Sequence, residues 1–481
     1  MPRPTSEHPN IVFLMADQFH ADCLGFLGRT IVRTPNLDAL AARGMHFDNM
    51  YACSAICSPS RASFFTGTYL RTHEQFFNNS DLRREFPSLI TVLKEHGYTT
   101  FQCGKNHLSP TLARHFDEMW TVKTSYRRYL EKQGLTPDSM NAVVDRQFAS
   151  YVSDIPEEHQ NEVWTADRAI DFIRSPRSQD RPFFMWCTFQ RPHAPHAPPE
   201  SLDELYDPGD IPVNWESYYA FENSKLQNRP MREDFWKLGS VRHDVSIFQK
   251  AVCRYYALIT LIDREIGRIL AALDECGAGE NTIVIFTADH GDFAGNYGQL
   301  GKNLPGYDDL IRIPFIYHDP RRKGDCGQVV EGMYQNVDLF PSLLDRLGID
   351  CPPTVQGRSF LDALDGWPGS GRDYVFSETG VEKTIRSRDW KLNFCAREPE
   401  KSQLFRMGVS PDETTNLWDD PQYTEVKSRL MAELMAWMAR CEQTIVMDRK
   451  WEEYLPTRWN EWLTRQPRQN SCPASDLPNV R

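Results

Sequence analysis

Four short strand-like stretches in this chain are each followed, within a few residues, by groups able to ligate, donate or titrate. Ile11–Ala16, Pro182–Phe189 and Thr282–Thr287 are largely apolar stretches of strand length, as expected for buried strands, and Tyr98–Cys103 reads as a further strand after Gly97. In chain order, Asp17 and Gln18 follow the first, and Lys105 and His107 the second. Arg191, His193 and His196 follow the third, and Asp289 and His290 the fourth. In open α/β sheets, ligands sit beyond the carboxyl ends of the strands. The pattern therefore predicts one sheet edge that collects carboxylates, imidazoles and cations from four strands.

Between these runs the apolar spacing is helical. Thr34-Pro35 opens a helix through Leu37, Leu40 and Ala41 that Gly44 closes. Pro87 to His96 repeats the pattern before Gly97. Tyr255, Leu258, Ile262, Ile266, Ile269 and Leu273 keep helical spacing up to Gly277, and Val337 to Leu347 forms a shorter helix before Gly348. Strands alternating with helices predict an α/β fold with a mostly parallel sheet. The run GWPGSG at Gly366–Gly371 reads as a linker. Strand-like pieces at Tyr374–Ser377 and Trp390–Cys395 and a helical run from Tyr423 to Cys441 follow it. The expected organisation is a large α/β domain over 1–370, an α+β subdomain over 371–444 and a tail over 445–481 that holds Trp451, Tyr454, Trp459 and Trp462. Packing of that tail on its own chain is the plainer reading; a wall of a cleft and the cover of a neighbouring subunit, in a homo-oligomer, are the alternatives.

Composition narrows the partners. At 481 residues the chain can bury a large core without staples. The net charge is -12 and no long basic run occurs, which argues against a nucleic-acid partner. The first apolar run is shorter than a secretory core of about 7–15 residues or a membrane span of about 20, so a cytoplasmic protein without a membrane partner is expected. Twelve cysteines are scattered without the spacing of a disulfide framework. A cysteine in a special local context is then informative.

Asp17, Gln18, Asp289 and His290 suit a divalent cation, since hard cations take carboxylate and amide oxygens. The oxygen-rich set favours Ca²⁺, and the imidazole makes Mn²⁺ a rival, with Mg²⁺ also open. Each acid alone would also suit a turn cap; the set points to a metal. Cys57 stands in AICSPSRASFFTG. Pro59 fits a first helical turn, which places Cys57 at a helix N-terminus, where free N–H groups favour an anion. An ordinary buried cysteine is the plain alternative. A zinc site of Cys53, Cys57, Cys103 and His107 is another, though it lacks paired Cys-x-x-Cys spacing.

Here the sequence resembles the sulfatase family, whose signature is Cys-x-Pro-x-Arg before a small-residue helix start and Thr-Gly. Further matches run in order along the chain: NIVFLMADQ, TPNLDALAARGMHFDNMYA, GKNH at 104–107, RPHAPH, ADHGD at 288–292, GQLGKN with Lys302, and LFRMGVSPDETTNLWDDP at 404–421. The resemblance implies an alkaline-phosphatase-like fold, a large mostly parallel mixed sheet sandwiched by helices. It implies that a formylglycine-generating enzyme oxidises Cys57 to formylglycine, and that Arg61 steadies the modified side chain. It also assigns Lys105 and Lys302 to sulfate oxygens, His193 to the leaving group as general acid and His107 to a base role. Asn78, in FFNNS, is a candidate sulfate donor or a simple turn residue. A formylglycine hydrate, polarised by the metal, would attack sulfur, and its second hydroxyl would expel sulfate. The substrate is then a small-molecule or saccharide sulfate ester.

Two positions depart from the commonest family pattern. Gln18 stands where many sulfatases have a second Asp, and His290 where many have Asn. These pairs resemble the branch that holds choline-sulfatase-like enzymes and phosphonate monoester hydrolases. Lys105 and His107 are the sulfatase choice where the phosphonate-cleaving relatives tend to carry Tyr and Thr. A phosphonate monoester or phosphodiester hydrolase is the near rival. An alkaline-phosphatase-like enzyme with an unmodified nucleophile, and a silent binding protein on the same fold, are more distant ones.

Overall fold

The structure is a computed structural model that describes residues 8–447 except 79, 84–85, 137–148, 223–243, 303–305, 323–325, 366–370 and 408–412. Most of the expected linker at Gly366–Gly371, and the tail beyond residue 447, lie outside the described residues.

The strands of the main sheet are β1 (Asn10–Asp17), β2 (Met45–Tyr51), β3 (Thr99–Gly104), β4 (Glu118–Thr121), β5 (Phe183–Pro192), β6 (Thr282–Ala288), β7 (Arg312–Ile313), β8 (Phe315–His318) and β9 (Gln328–Gln335). Their order is β4-β3-β5-β1-β6-β8-β2-β7, with β9 beside β2. The five strands from β4 to β6 pair in parallel, while β8 is antiparallel to both β6 and β2. β2 therefore runs in the same sense as β1, and its carboxyl end opens on the same edge. All of β1 and β6 is buried, which is why both read as unbroken apolar runs.

The helices that matter here are α1 (Pro35–Arg43), α2 (Cys57–Thr66), α3 (Leu89–Glu95), α4 (Asn161–Arg174), α5 (Val245–Glu275), α6 (Leu339–Leu347) and α7 (Thr424–Met447). α3 starts later than the apolar pattern suggests, because Ser88 and Thr91 form a capping box ahead of Leu89. α5 is long and apolar enough to cross a membrane, but its apolar stripe is buried against α4, α1 and β5. α2 is buried along its whole length. Phe65 meets Trp186 edge to face at 4.9 Å and Phe64 meets Phe13 at 5.6 Å, so aromatic packing fixes its place over the sheet. Gly67, at φ 63°, ends it with a hydrogen bond to the Ser63 carbonyl.

A second, antiparallel sheet follows: β10 (Val375–Glu378), β11 (Glu382–Arg386), β12 (Trp390–Cys395) and β13 (Gln403–Arg406), in sequential order. α7 packs on it. Trp437 stacks on Phe376 at 4.6 Å and meets Tyr69 of the main unit at 5.2 Å. Lys391, fully buried, bridges Asp308 and Glu413. The α/β unit and the C-terminal antiparallel unit are thus joined by a shared apolar cluster and a buried ion pair.

Candidate active site

β1 and β6 are adjacent and in register, with Ala16 opposite Ala288. The next residues, Asp17 and Asp289, leave the sheet side by side, and both are fully buried. The Arg61 guanidinium joins them. Its Nε donates to Asp289 Oδ2 at 2.9 Å and an Nη to Asp17 Oδ2 at 2.8 Å. The other Nη donates to the Lys105 and Asn106 carbonyls and to Thr188 Oγ1, and the group lies over the Trp186 ring at 5.6 Å. Arg61 also feels the charge of Cys57 nearby. Its hydrogen bonds go to the two acids and to the carbonyls that end β3.

Cys57 is the first residue of α2, reached from the carboxyl end of β2. Its Sγ lies 3.7 Å from Asp17 Oδ1, 3.2 Å from His290 Nε2 and 2.9 Å from Lys302 Nζ. One ligand atom each from Asp17, Cys57, Asp289 and His290 falls within 4.8 Å of the others. Burial by itself would raise the Cys57 thiol, but Lys302, Lys105 and His290, with a hydrogen bond from His107, hold it well below the ordinary thiol value. Burial and Cys57 push the Asp17 carboxyl up, yet Lys105, His193 and Arg61 keep it below the usual carboxylate range.

The donor set fits a cation on two further observations. His290 Nδ1 faces the Gly291 carbonyl at 2.9 Å, which fixes the proton there and leaves the Nε2 lone pair toward the cluster. Gln18 is held at φ 67°, an uncommon state for a non-glycine residue. Its N–H donates to Asp289 Oδ1 at 3.1 Å and its carbonyl accepts from Tyr255 at 2.9 Å. Its Nε2 donates to Asp292 Oδ2, and its Oε1 is buried with no partner among the described residues. A buried, unpaired amide oxygen beside two carboxylates and an imidazole is what a hard cation would satisfy.

The remaining expected residues gather around this cluster. Lys105 Nζ pairs with Asp17 Oδ2 at 2.7 Å. Lys302 Nζ, besides Cys57, reaches His290 Nε2 at 2.5 Å, so it is turned into the site rather than into solvent. His193 Nδ1 faces the Ala194 carbonyl at 2.8 Å, and the ring bonds to Cys57. His196 is buried, with burial pushing its imidazole down to about 4. Asn78 is exposed, and its Oδ1 accepts from the Ser58 N–H at 3.0 Å. It caps α2, which has no side-chain cap of its own. The zinc alternative fails, because Cys103 lies inside the sheet opposite Cys187 and Cys53 bonds to Gln335 and Asn336.

Asp292 was not singled out from the sequence. It is fully buried, and besides Gln18 it accepts from the Ala294 N–H at 2.7 Å and the Gly301 N–H at 3.0 Å. It thus ties Gln18 to the turn that carries Lys302. The available signal was its place as the second acid of ADHGD.

The Sulfatase family model matches residues 9–349. The chain belongs to the sulfatase family. A second model, described as the C-terminal part of N-sulphoglucosamine sulphohydrolase, matches residues 295–440 of this sulfatase. An arylsulfatase of Clostridium perfringens is 31% identical over 87% of this chain and 92% of its own. An N-acetylglucosamine-6-O-sulfatase of Bacteroides thetaiotaomicron is 24% identical over 89% and 85%. Among solved structures, the phosphonate monoester hydrolase of Agrobacterium radiobacter superposes with a TM-score of 0.78 at 26% identity, over 90% of this chain and 96% of its own. That likeness is consistent with the alkaline phosphatase superfamily. This sulfatase is a sulfuric ester hydrolase, with a buried Asp/Cys/His cluster that fits a metal.

Proposed function

We propose that the protein hydrolyses an organic sulfate monoester to alcohol and inorganic sulfate, using an aldehyde formed from Cys57 and one divalent cation. The observation that carries this reading is the placement of Cys57 Sγ between His290, Asp17 and Lys302 at the N-terminus of α2. The cation, held by Asp17, Gln18, Asp289 and His290 with the side chain at 57, would supply Lewis acidity to the reacting centre. Ca²⁺ suits the oxygen-rich donors best, with Mn²⁺ and Mg²⁺ as alternatives. Formylglycine, made by a formylglycine-generating enzyme, supplies through its hydrate a nucleophilic hydroxyl and a second hydroxyl for release of sulfate. A plain Cys or Ser lacks that exit.

The chain's own residues do the rest. Lys105 and Lys302 flank residue 57 and offset negative charge on the sulfate oxygens as it builds. The Ala194 carbonyl orients His193, whose ring reaches residue 57 and can deliver a proton to the leaving alcohol. His107 approaches the same side chain and can accept the proton from it. Arg61 keeps the two acids at a fixed separation. Asn78 lines the adjoining cleft and can donate its amide to a sulfate oxygen. The relative that acts on a sulfated sugar supports a sulfated saccharide as the substrate class.

Mass spectrometry of the peptide holding residue 57 tests the maturation: an aldehyde is expected in place of the thiol. Hydrolysis of an aryl sulfate should be lost in Cys57→Ala and on chelation, and should return with added cation after chelation only. The phosphonate reading draws on Gln18 and His290 and on the fold match above. Assaying an aryl sulfate beside an aryl phosphonate monoester separates the two, and dominant phosphonate turnover would overturn the sulfate assignment.

A further inference from the structure

A cavity of about 1180 Å³ opens beside Lys105, His107 and His193. Sites for drug-sized ligands run to roughly 300–1,000 Å³, so an aryl or choline-sized alcohol would leave much of this one to water. Its outer wall is built by the sheet itself. β4 is the edge strand and pairs in parallel with β3, Thr121 opposite Gly104. The residues after Thr121 therefore emerge next to Lys105, about one strand spacing of ~4.8 Å away. They form a single π-helical turn, Val122–Tyr126, that continues into the short helix Arg127–Lys132. Wide turns of this kind are enriched at functional sites.

The charge on this wall is one-sided. Lys105, Lys123, Arg127 and Arg191 line the cavity against one carboxylate, Glu131, in a chain whose net charge is -12. Lys105 is paired with Asp17, and Arg191 lies close to the buried Glu162. Lys123 and Arg127 are exposed and make no ion pair among the described residues. The cavity is also lined by the amides of Gln160, Asn161 and Gln190, with Asn161 Nδ2 donating to Gln190 Oε1 at 3.3 Å. Amides suit hydroxyl groups, and cations of one sign lining a cleft attract an anion.

We infer that the cavity holds a saccharide alcohol, and that Lys123 and Arg127 form a subsite for a second anionic group on it, apart from the ester that is cleaved. The inference rests on the sulfatase reading above and adds the chemistry of the leaving group.

The test measures kcat/KM for three matched disaccharides: one with a single sulfate, one with a second sulfate, and one with a uronic carboxylate in its place. 4-Nitrophenyl sulfate is assayed alongside. In the wild type the second anion should raise kcat/KM about tenfold, mainly through KM, the scale for two solvent-exposed charge contacts. The ratio should shrink as salt rises, and should fall toward one in the double variant K123A/R127A. The two doubly charged sugars show whether sulfate or carboxylate is the better fit. Equal rates on all three sugars, or an unchanged ratio in the double variant, would overturn the subsite. Absence of turnover on every substrate, nitrophenyl sulfate included, from protein with a verified aldehyde would overturn the sulfatase reading instead.

Discussion

Asp292 is expected to control cation affinity without being a ligand. A primary amide has two chemically different ends, and which end faces a neighbour is set by what that neighbour can accept or donate. A carboxylate accepts, and Asp292 faces Gln18 Nε2, so Gln18 Oε1 is the end left without a partner among the described residues. Asp292→Asn removes that constraint, since an Asn side chain can face Gln18 with either end. Loss of such outer partners usually weakens metal binding by about 10–100-fold, or about 1.4–2.7 kcal/mol. In Asp292→Asn the remaining oxygen can still accept from the Ala294 and Gly301 N–H groups, whereas Asp292→Ala leaves both donors unsatisfied, at about 1–3 kcal/mol of stability for each buried donor. The assay is the melting temperature of chelator-treated protein during a Ca²⁺ titration, which needs neither substrate nor matured Cys57. Asp292→Asn should melt near the wild type without cation and require more cation for the same upward shift. A nearby negative charge is lost too, so the comparison is repeated in a Gln18→Ala background. There the Asn substitution should have little further effect, because coupling vanishes when the intermediary is gone. Equal cation affinity of wild type and Asp292→Asn, or a full effect in the absence of Gln18, would refute the argument.

Arg61→Ala should leave two buried carboxylates facing each other and lower stability by about 3–5 kcal/mol, with a smaller loss when Ca²⁺ is present; melting with and without cation measures both. Gly104→Ala should destabilise by at least about 2 kcal/mol in a urea melt, because Gly104 has φ +91° and a Cβ there would lie 1.9 Å from the Thr188 carbonyl oxygen. Glu413 is buried, which outweighs Lys391 and pushes its carboxyl up to about 7 from an ordinary 4.5. The folded chain therefore holds this proton longer than the unfolded chain, and stability falls as pH rises from about 4.5 to about 7. Glu413→Gln removes that slope, so its melting temperature relative to wild type should climb through this window and level off above it.

The parallel core was legible because β1, β5 and β6 are buried on both faces and so are written as largely apolar runs, while β3 was read from the strand-like residues after Gly97; all four fall within a few residues of the expected stretches. β2 was legible only through the family resemblance. Its MHFDNMY alternates buried and half-exposed positions, a weak signal in a seven-residue stretch, yet it is the strand that delivers Cys57. Lys302 shows a similar limit. A lysine in a loop is usually solvated, and only the fold turns this one onto Cys57. Asp292 and Arg61 mark the deeper boundary. Their residue types were visible, but their work consists of contacts across most of the chain, and nothing local to either reports a partner.

What made the site itself readable is the geometry of adjacent parallel strands. Gln18 and Asp289 are 271 residues apart in sequence and hydrogen-bonded in space. No local propensity brings them together; the register of β1 on β6 does. Pairing Ala16 with Ala288 places the two following acids at neighbouring strand ends, about 4.8 Å apart by the spacing of any sheet. That is a separation at which two carboxylates can share one guanidinium and one cation. A slip of one residue would turn one strand's side chains to the opposite face, and Arg61 could then reach only one acid. The apolar runs that bury both faces of β1 and β6 specify this register only weakly by themselves. The hydrogen bonds of Arg61 to both acids and of the Gln18 N–H to Asp289 supply the missing specificity, so the groups that would hold the cation also lock the strands that present them.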